Sequence, residues 1–346
     1  MRVASRRYFL EVPGGVEAVT RGELKRLGVR GLQLVPGGFR LADDAAVAKA
    51  SRAATLSATY LSLTFDVPRP KALLGDAAFR ELVTAVRGVM EGGEFRGLRL
   101  SAAGADSPTF TRFAQELSKA TGLAHDQEGG ELLVRVRPDP EGGWEVLVRL
   151  TPRPATTRAW RVCNRPGGLN AAVAAAMNEL VGLGAEDAYV NLMAGSGTLL
   201  IERALRAPAR RLVGFDVDPE AIACAEANAA AARVPACEWH RGDLTDAAFM
   251  SGLKATAGDY FDALTADAPW GDAVGAHAEN RLLYPRILTA AASVARPGAR
   301  FCLLSHEIKL LRAVVGGQSV WRIERELQVA HGGHNPLVLL LSKAPE

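Results

Sequence analysis

Cysteine is scarce. The four present, Cys163, Cys224, Cys237 and Cys302, are scattered over 346 residues, and none stands in a Cys-x-x-Cys or Cys/His spacing. That leaves no framework for structural zinc, so no metal and a reduced, cytoplasmic protein are expected. Long apolar runs are also missing. No stretch approaches the ~20 residues that a membrane helix needs, and no membrane partner is expected. The opening MRVASRRYFLEVP is basic, but Glu11 and Pro13 cut its apolar stretch short, which is unlike a secretory signal. Low-complexity tracts and internal repeats are absent. With 48% hydrophobic and 23% charged residues, the chain has what a packed core requires, and its length predicts two or three domains.

Charge is unevenly spread. Residues 1–165 hold 25 Lys and Arg against 18 Asp and Glu, a net +7, whereas the remainder holds 16 against 20, a net −4. A basic first half suggests contact with a polyanion, although a solvated surface produces the same count. The first half patterns as α+β. Strands are predicted at 8–13, 31–42, 59–68, 97–104, 131–139 and 144–152, and helices at 15–28, 43–54, 77–90 and 109–123. A connector, RPATTRAWRVCNRPGGLN (153–170), follows. Arg149, Arg153, Arg158, Arg161 and Arg165 cluster in and beside it, with Trp160 among them and no carboxylate between Glu145 and Glu179. Arginines with an aromatic partner suit a surface that tracks phosphates, and the five are expected to bind RNA. The alternative is a linker docked on its own protein. From residue 170, strands and helices alternate. Strands are predicted at 188–193, 211–216, 236–240, 261–267 and 299–305, with a final pair at 320–330 and 336–342, which is the pattern of a parallel α/β sheet.

Four motifs at the ends of these strands carry chemistry. Asn191, Met193, Ala194, Gly195, Ser196, Gly197 and Thr198 form a small-residue loop between a strand and a helix, where backbone can approach a ligand closely. Leu200 stands where a dinucleotide fingerprint needs its third glycine, and no P-loop lysine is present. Asp216, about 20 residues on, is placed to hold ribose hydroxyls, whereas Asp218 before Pro219 reads as a helix cap. Asp243 after the third strand can accept from an adenine amino group, or can cap the next helix. The fourth motif, Asp267-Ala268-Pro269-Trp270, indicates the reaction. The lone pair of an exocyclic base amine is delocalised into the ring. Acceptors at its hydrogens, such as the Asp267 carboxylate and the Ala268 carbonyl, favour a usable lone pair. Pro269 fixes the turn, and Trp270 can stack on an extruded base.

On these motifs residues 170–346 resemble a Rossmann-type class I methyltransferase of the amino-methylating group. The segments RPGGLNAAVAAAM (165–177), NLMAGSGTLLIERA (191–204), DAPWGDAVGAHAENRLLYPRIL (267–288), ASVARPGARFCLLSH (292–306) and HGGHNPLVLLL (331–341) make the whole chain similar to the THUMP-containing tRNA guanine-N2 methyltransferases. Ala268 departs from the common first proline, Trp270 from the common tyrosine, and Asn191 from the aspartate of many relatives. The resemblance implies a ferredoxin-like domain at 1–66, a THUMP RNA-binding domain at 67–152, a linker at 153–169 and the methyltransferase domain at 170–346. It also implies S-adenosyl-L-methionine as cofactor, tRNA as partner and a monomer. Methylation of an rRNA guanine or a nucleic-acid adenine, and a non-catalytic RNA-binding protein with a relic cofactor fold, are the alternatives. His331 and His334 flank Gly332-Gly333 and read as a structural loop rather than a metal pair. His277 and Tyr284 are expected on a lid helix in reach of substrate.

Overall fold

The computed structural model describes residues 3–234, 237–258, 260–269 and 277–345. These divide into two compact units, one of residues up to 12 and 24–156, the other of residues 13–23 and 157 onward.

The first unit is built on one seven-stranded sheet. Its strands are β1 (Val3–Glu11), β2 (Gln33–Val35), β3 (Gly38–Leu41), β4 (Ala58–Phe65), β5 (Leu98–Ala102), β6 (Leu132–Pro138) and β7 (Trp144–Arg149), in the order β2-β3-β1-β4-β7-β6-β5. Alternation along β4 sends Leu61, Leu63 and Phe65 to one face. There they pack with Leu82 and Val86 of the helix Asp76–Met90 and with Phe113 and Leu117 of the helix Pro108–Thr121. The expected boundary at residue 66 is not a break in this sheet. β4 pairs with β7 over six registered positions, Tyr60 with Arg149 through Phe65 with Trp144, so 1–66 and 67–152 share one sheet.

The second unit carries the strand–helix alternation anticipated from residue 170. Its strands are β8 (Ala188–Leu192), β9 (Arg211–Asp216), β10 (Glu238–Arg241), β11 (Phe261–Asp267), β12 (Ala295–Ser305), β13 (Trp321–Gln328) and β14 (Leu337–Lys343). The order is β10-β9-β8-β11-β12-β14-β13, with β8 to β12 parallel and β13 and β14 antiparallel. β8 and β11 are adjacent although two strand–helix units separate them in sequence. The chain reverses direction between them, and the crevice at their carboxyl ends is where such sheets hold ligands. Five further helices matter below: Ala171–Val181, Thr198–Ala204, Pro219–Ala232, Ala247–Thr256 and His277–Val294. Among the described residues no helix is long and apolar enough to cross a membrane.

Candidate active site

The carboxyl ends of β8, β9, β10 and β11 open onto a cavity of about 510 Å³. After β8 the chain turns sharply at Met193, whose φ of 55° places a non-glycine residue in the left-handed region. The Ala194 N–H then donates to the Phe215 carbonyl at 2.8 Å, which stitches the loop to β9. The Gly195 N–H donates to Asp216 Oδ2 at 2.8 Å, and the Asp218 N–H donates to Oδ1 at 3.0 Å. Asp216 therefore holds the loop in place while lining the cavity. Gly197 has φ 82°, and a Cβ there would lie 2.8 Å from the Trp239 ring and 3.0 Å from the Ala225 Cβ. Gly197 is thus a packing requirement beneath the loop and does not line the cavity. Asp218 caps the helix Pro219–Ala232 by accepting from the Glu220 N–H at 2.8 Å.

Asp243 accepts from both the N–H and the hydroxyl of Thr245, at 2.7 and 2.8 Å, and lines the cavity beside Leu244. It does not cap the next helix, because Asp246 does so through the Ala248 and Phe249 N–H groups. Asp267 is the last residue of β11, with its side chain partly open to the cavity. Its Oδ1 is buried without a hydrogen-bond partner among the described residues, and burial pushes its carboxyl up to about 7. The Ala268 N–H donates to the Leu304 carbonyl at 2.9 Å, whereas no donor among the described residues reaches the Ala268 carbonyl. A carboxylate oxygen next to a carbonyl, both without donors among the described residues, is a pair of acceptors suited to a donor group. Trp270 lies outside the described residues.

Sequence reading missed several liners. The segment Arg165–Leu169 borders the cavity, as do Leu283 and Arg286 of the helix His277–Val294. Val217, between Asp216 and Asp218, is 61% exposed on the rim. An apolar residue between two acids at a strand end was a signal available for Val217, and none marked Leu283 or Arg286. Asn191 is a correction in the other direction. Its Nδ2 donates within the sheet to the Leu192 and Thr265 carbonyls at 3.2 and 3.3 Å, and it does not line the cavity.

Four of the five arginines expected to meet RNA are engaged within the protein. Arg149 is 3% exposed and donates to the carbonyls of Thr151, Glu131 and Pro152. Arg158 pairs with buried Glu202 at 2.7 Å. Arg161 donates to the Leu169 carbonyl and to Thr198 Oγ1, both at 2.8 Å, and Arg165 pairs with Asp218. Charge drew these assignments, and in the fold acceptors of the protein itself hold these four guanidinium groups. Arg153 is exposed. Trp160 is buried against Ile201 and Ala229 and offers no stacking face. The connector is also cross-linked. Cys163 and Cys224 form a disulfide with Cα atoms 5.5 Å apart, which overturns the expectation of four reduced, scattered cysteines. A separation of 61 residues hid a pair that only the fold brings together.

Tyr284 does not line the cavity. It is 1% exposed, and its hydroxyl meets the Pro269 carbonyl and Ser305. The side chain of His277 lies outside the described residues. His331 and His334 face each other across a Gly332-Gly333 turn, and His306 stands against both rings at centroid distances of 6.0 and 5.5 Å. Among the described residues no group of three His, Cys, Asp or Glu is arranged to hold a metal ion.

Comparison with known proteins accords with this geometry. The family model described as UPF0020, RMKL-like, methyltransferase domain matches residues 158–336, just over half of the chain. Among solved structures, TrmN from Thermus thermophilus is 21% identical, with a TM-score of 0.75 over 98% of this chain and 100% of that one. SMU.472, solved as a complex with SAH, is 14% identical, with a TM-score of 0.68 over 100% of this chain and 99% of that one. A predicted N6-adenine-specific DNA methylase from Listeria monocytogenes is 14% identical, with a TM-score of 0.69 over 99% of this chain and 97% of that one. At these identities the likeness is one of fold.

Proposed function

The chain belongs to the UPF0020, RMKL-like methyltransferase family, and on that premise we propose that it transfers a methyl group from S-adenosyl-L-methionine to the exocyclic N2 amino group of a guanine in tRNA. The observation that carries this reading is the acceptor pair at the end of β11. Asp267 Oδ1 and the Ala268 carbonyl are both without donors among the described residues, at the edge of the cavity. A neutral exocyclic amine has two hydrogens to offer such a pair, and accepting them localises the nitrogen lone pair for attack on a sulfonium methyl.

The cavity suits that cofactor. Its charged liners are Asp216, Asp218, Asp243 and Asp267 against Arg165 and Arg286, an excess of carboxylates that favours a cationic sulfonium over a pyrophosphate. Asp216 holds the ribose, Asp243 the adenine amino group with Val217 against the ring, and Met193 to Ser196 with Thr198 the methionine moiety. When bound, the cofactor supplies the electrophilic methyl. The chain's own residues orient the amine, exclude water and keep the acceptors in place. The first unit reads the RNA, as the resemblance to ferredoxin-like and THUMP domains implies. The SAH in the SMU.472 complex supports the cofactor assignment.

The test is methyl transfer from labelled S-adenosyl-L-methionine to unmodified tRNA, rRNA and DNA, followed by nucleoside mass spectrometry. N2-methylguanine formed in tRNA alone is the expected product. N6-methyladenine, or label in rRNA or DNA only, overturns the choice of substrate. Binding of NAD in place of S-adenosyl-L-methionine overturns the cofactor.

A further inference from the structure

The residue that completes the acceptor turn lies outside it. Tyr284 sits in the second turn of the helix His277–Val294, where Asn280, Tyr284, Ile287, Leu288 and Ala291 form a buried stripe at helical spacing. That spacing drives the ring into the core of the second unit and leaves its hydroxyl beneath the catalytic turn. The hydroxyl lies 3.0 Å from the Pro269 carbonyl and 2.6 Å from Ser305 Oγ, and the Glu307 N–H donates to Ser305 Oγ at 2.9 Å. A carbonyl only accepts, so the single Tyr284 hydrogen goes to Pro269 and the Ser305 hydroxyl donates to Tyr284. The donors run in one direction, from Glu307 through Ser305 and Tyr284 to Pro269.

This relay fixes the far side of the turn. On the near side the Ala268 N–H is tied to the Leu304 carbonyl at 2.9 Å. The Ala268 carbonyl, which no donor among the described residues reaches, lies between the two anchors. We propose that Tyr284 is a positioning residue for methyl transfer: by holding the Pro269 carbonyl it aims the Ala268 carbonyl and the Asp267 carboxylate at the substrate amine. Burial pushes the phenol up to about 12, with Asp267 among the charges it feels, so Tyr284 remains a donor across the working pH range. The inference rests on the reading of the site as an amino-methyltransferase.

Tyr284→Phe removes the donor and keeps the ring. Two readouts on the full-length protein test it. The first is the single-turnover rate at saturating S-adenosyl-L-methionine and unmodified tRNA transcript. It should fall about tenfold, the worth of one neutral hydrogen bond felt in the transition state, with the KM for tRNA and the cofactor affinity unchanged. The second is hydrogen exchange at the Ala268 amide in the cofactor-free protein, which should quicken by about the same factor as the turn loses its far anchor. Ser305→Ala should give a smaller fall, because Tyr284 can still donate to Pro269. Wild-type rate and wild-type exchange in Tyr284→Phe overturn the proposal. So does a loss of rate that disappears on cooling in step with the melting temperature, which marks a merely structural side chain. If the wild-type protein transfers no methyl to tRNA, the substrate reading fails and the exchange measurement alone decides: quickened exchange supports positioning, and unchanged exchange removes it.

Discussion

In the proposed reaction Asp267 carries most of the chemistry, and its environment predicts two opposite pH effects. Its carboxyl titrates at about 7 in the fold, raised by burial from an ordinary value of 3.8. Only the ionised form is an acceptor without a hydrogen of its own, so kcat/KM should rise with pH to a plateau above about 7, with that limb absent in Asp267→Asn. Stability runs the other way. Between the two pKa values the folded protein keeps a proton that the unfolded chain has lost, so this group lowers stability as pH rises through that window. Asp267→Asn should therefore gain more in melting temperature at pH 8 than at pH 5, while its turnover falls about 100-fold or more. Equal gains at both pH values would show that the carboxyl titrates normally. Asp216→Ala should weaken S-adenosyl-L-methionine by about 1–3 kcal/mol in calorimetry, since it removes a charged acceptor that also pins the Gly195 and Asp218 amides. The acids Asp216, Asp243 and Asp267 were legible in the sequence because Asp216 and Asp267 end strands and Asp243 follows the end of β10 by two residues, and a strand end in a parallel sheet faces the ligand crevice. Asn191 misled for a related reason. One residue before its strand ends, its side chain is still inside the sheet.

At the scale of elements, the connector reads differently in three dimensions. Its composition suggests an RNA-facing strap, but its contacts make it part of the cofactor domain. The Asn228 side chain accepts from the Val162 and Cys163 N–H groups and donates to the Cys163 and Ser196 carbonyls, so one residue of the helix Pro219–Ala232 ties the connector to the glycine loop. The disulfide between Cys163 and Cys224 closes 61 residues that include β8, the loop and β9. Reduction frees that loop in the unfolded chain and should destabilise the second unit by about 2–4 kcal/mol. The measurement is a melting curve with and without dithiothreitol, on the wild type and on Cys224→Ser; the variant should melt low and ignore the reductant. Most strands of the second unit were legible because short apolar runs alternate with helical segments, three of which open on an Asn or Asp cap. Pairing between distant segments was not legible, because neither the 66-residue boundary nor the cysteine pair leaves a local pattern. β4 looks like the end of a domain in sequence, and only its pairing with β7 places residues 144–149 in the same sheet.

For the whole molecule, the charge asymmetry bears on which residues would meet RNA under the proposed function. The second unit is not a simple C-terminal half, since residues 13–23 belong to it. The Ala330 N–H donates to the Gly14 carbonyl at 2.8 Å, Arg206 pairs with Glu23 at 2.8 Å, and a Cβ on Gly15 would lie 1.8 Å from the Gln328 carbonyl oxygen. A fragment beginning at 157 would lose those contacts, so activity missing from it would not by itself assign RNA reading to the first unit. The full-length chain gives a cleaner test. tRNA affinity should fall steeply with salt, because each phosphate contact releases condensed counterions. Arg153→Ala should reduce that slope by about one contact and leave the melting temperature unchanged, since its side chain is exposed. Arg158→Ala should do the reverse. It leaves Glu202 buried and unpaired, at a cost of about 3 kcal/mol in stability, and should not change the salt slope. A flatter slope in Arg158→Ala with an unchanged melting temperature would return that arginine to the RNA surface and remove its pairing with Glu202 from the account of the fold.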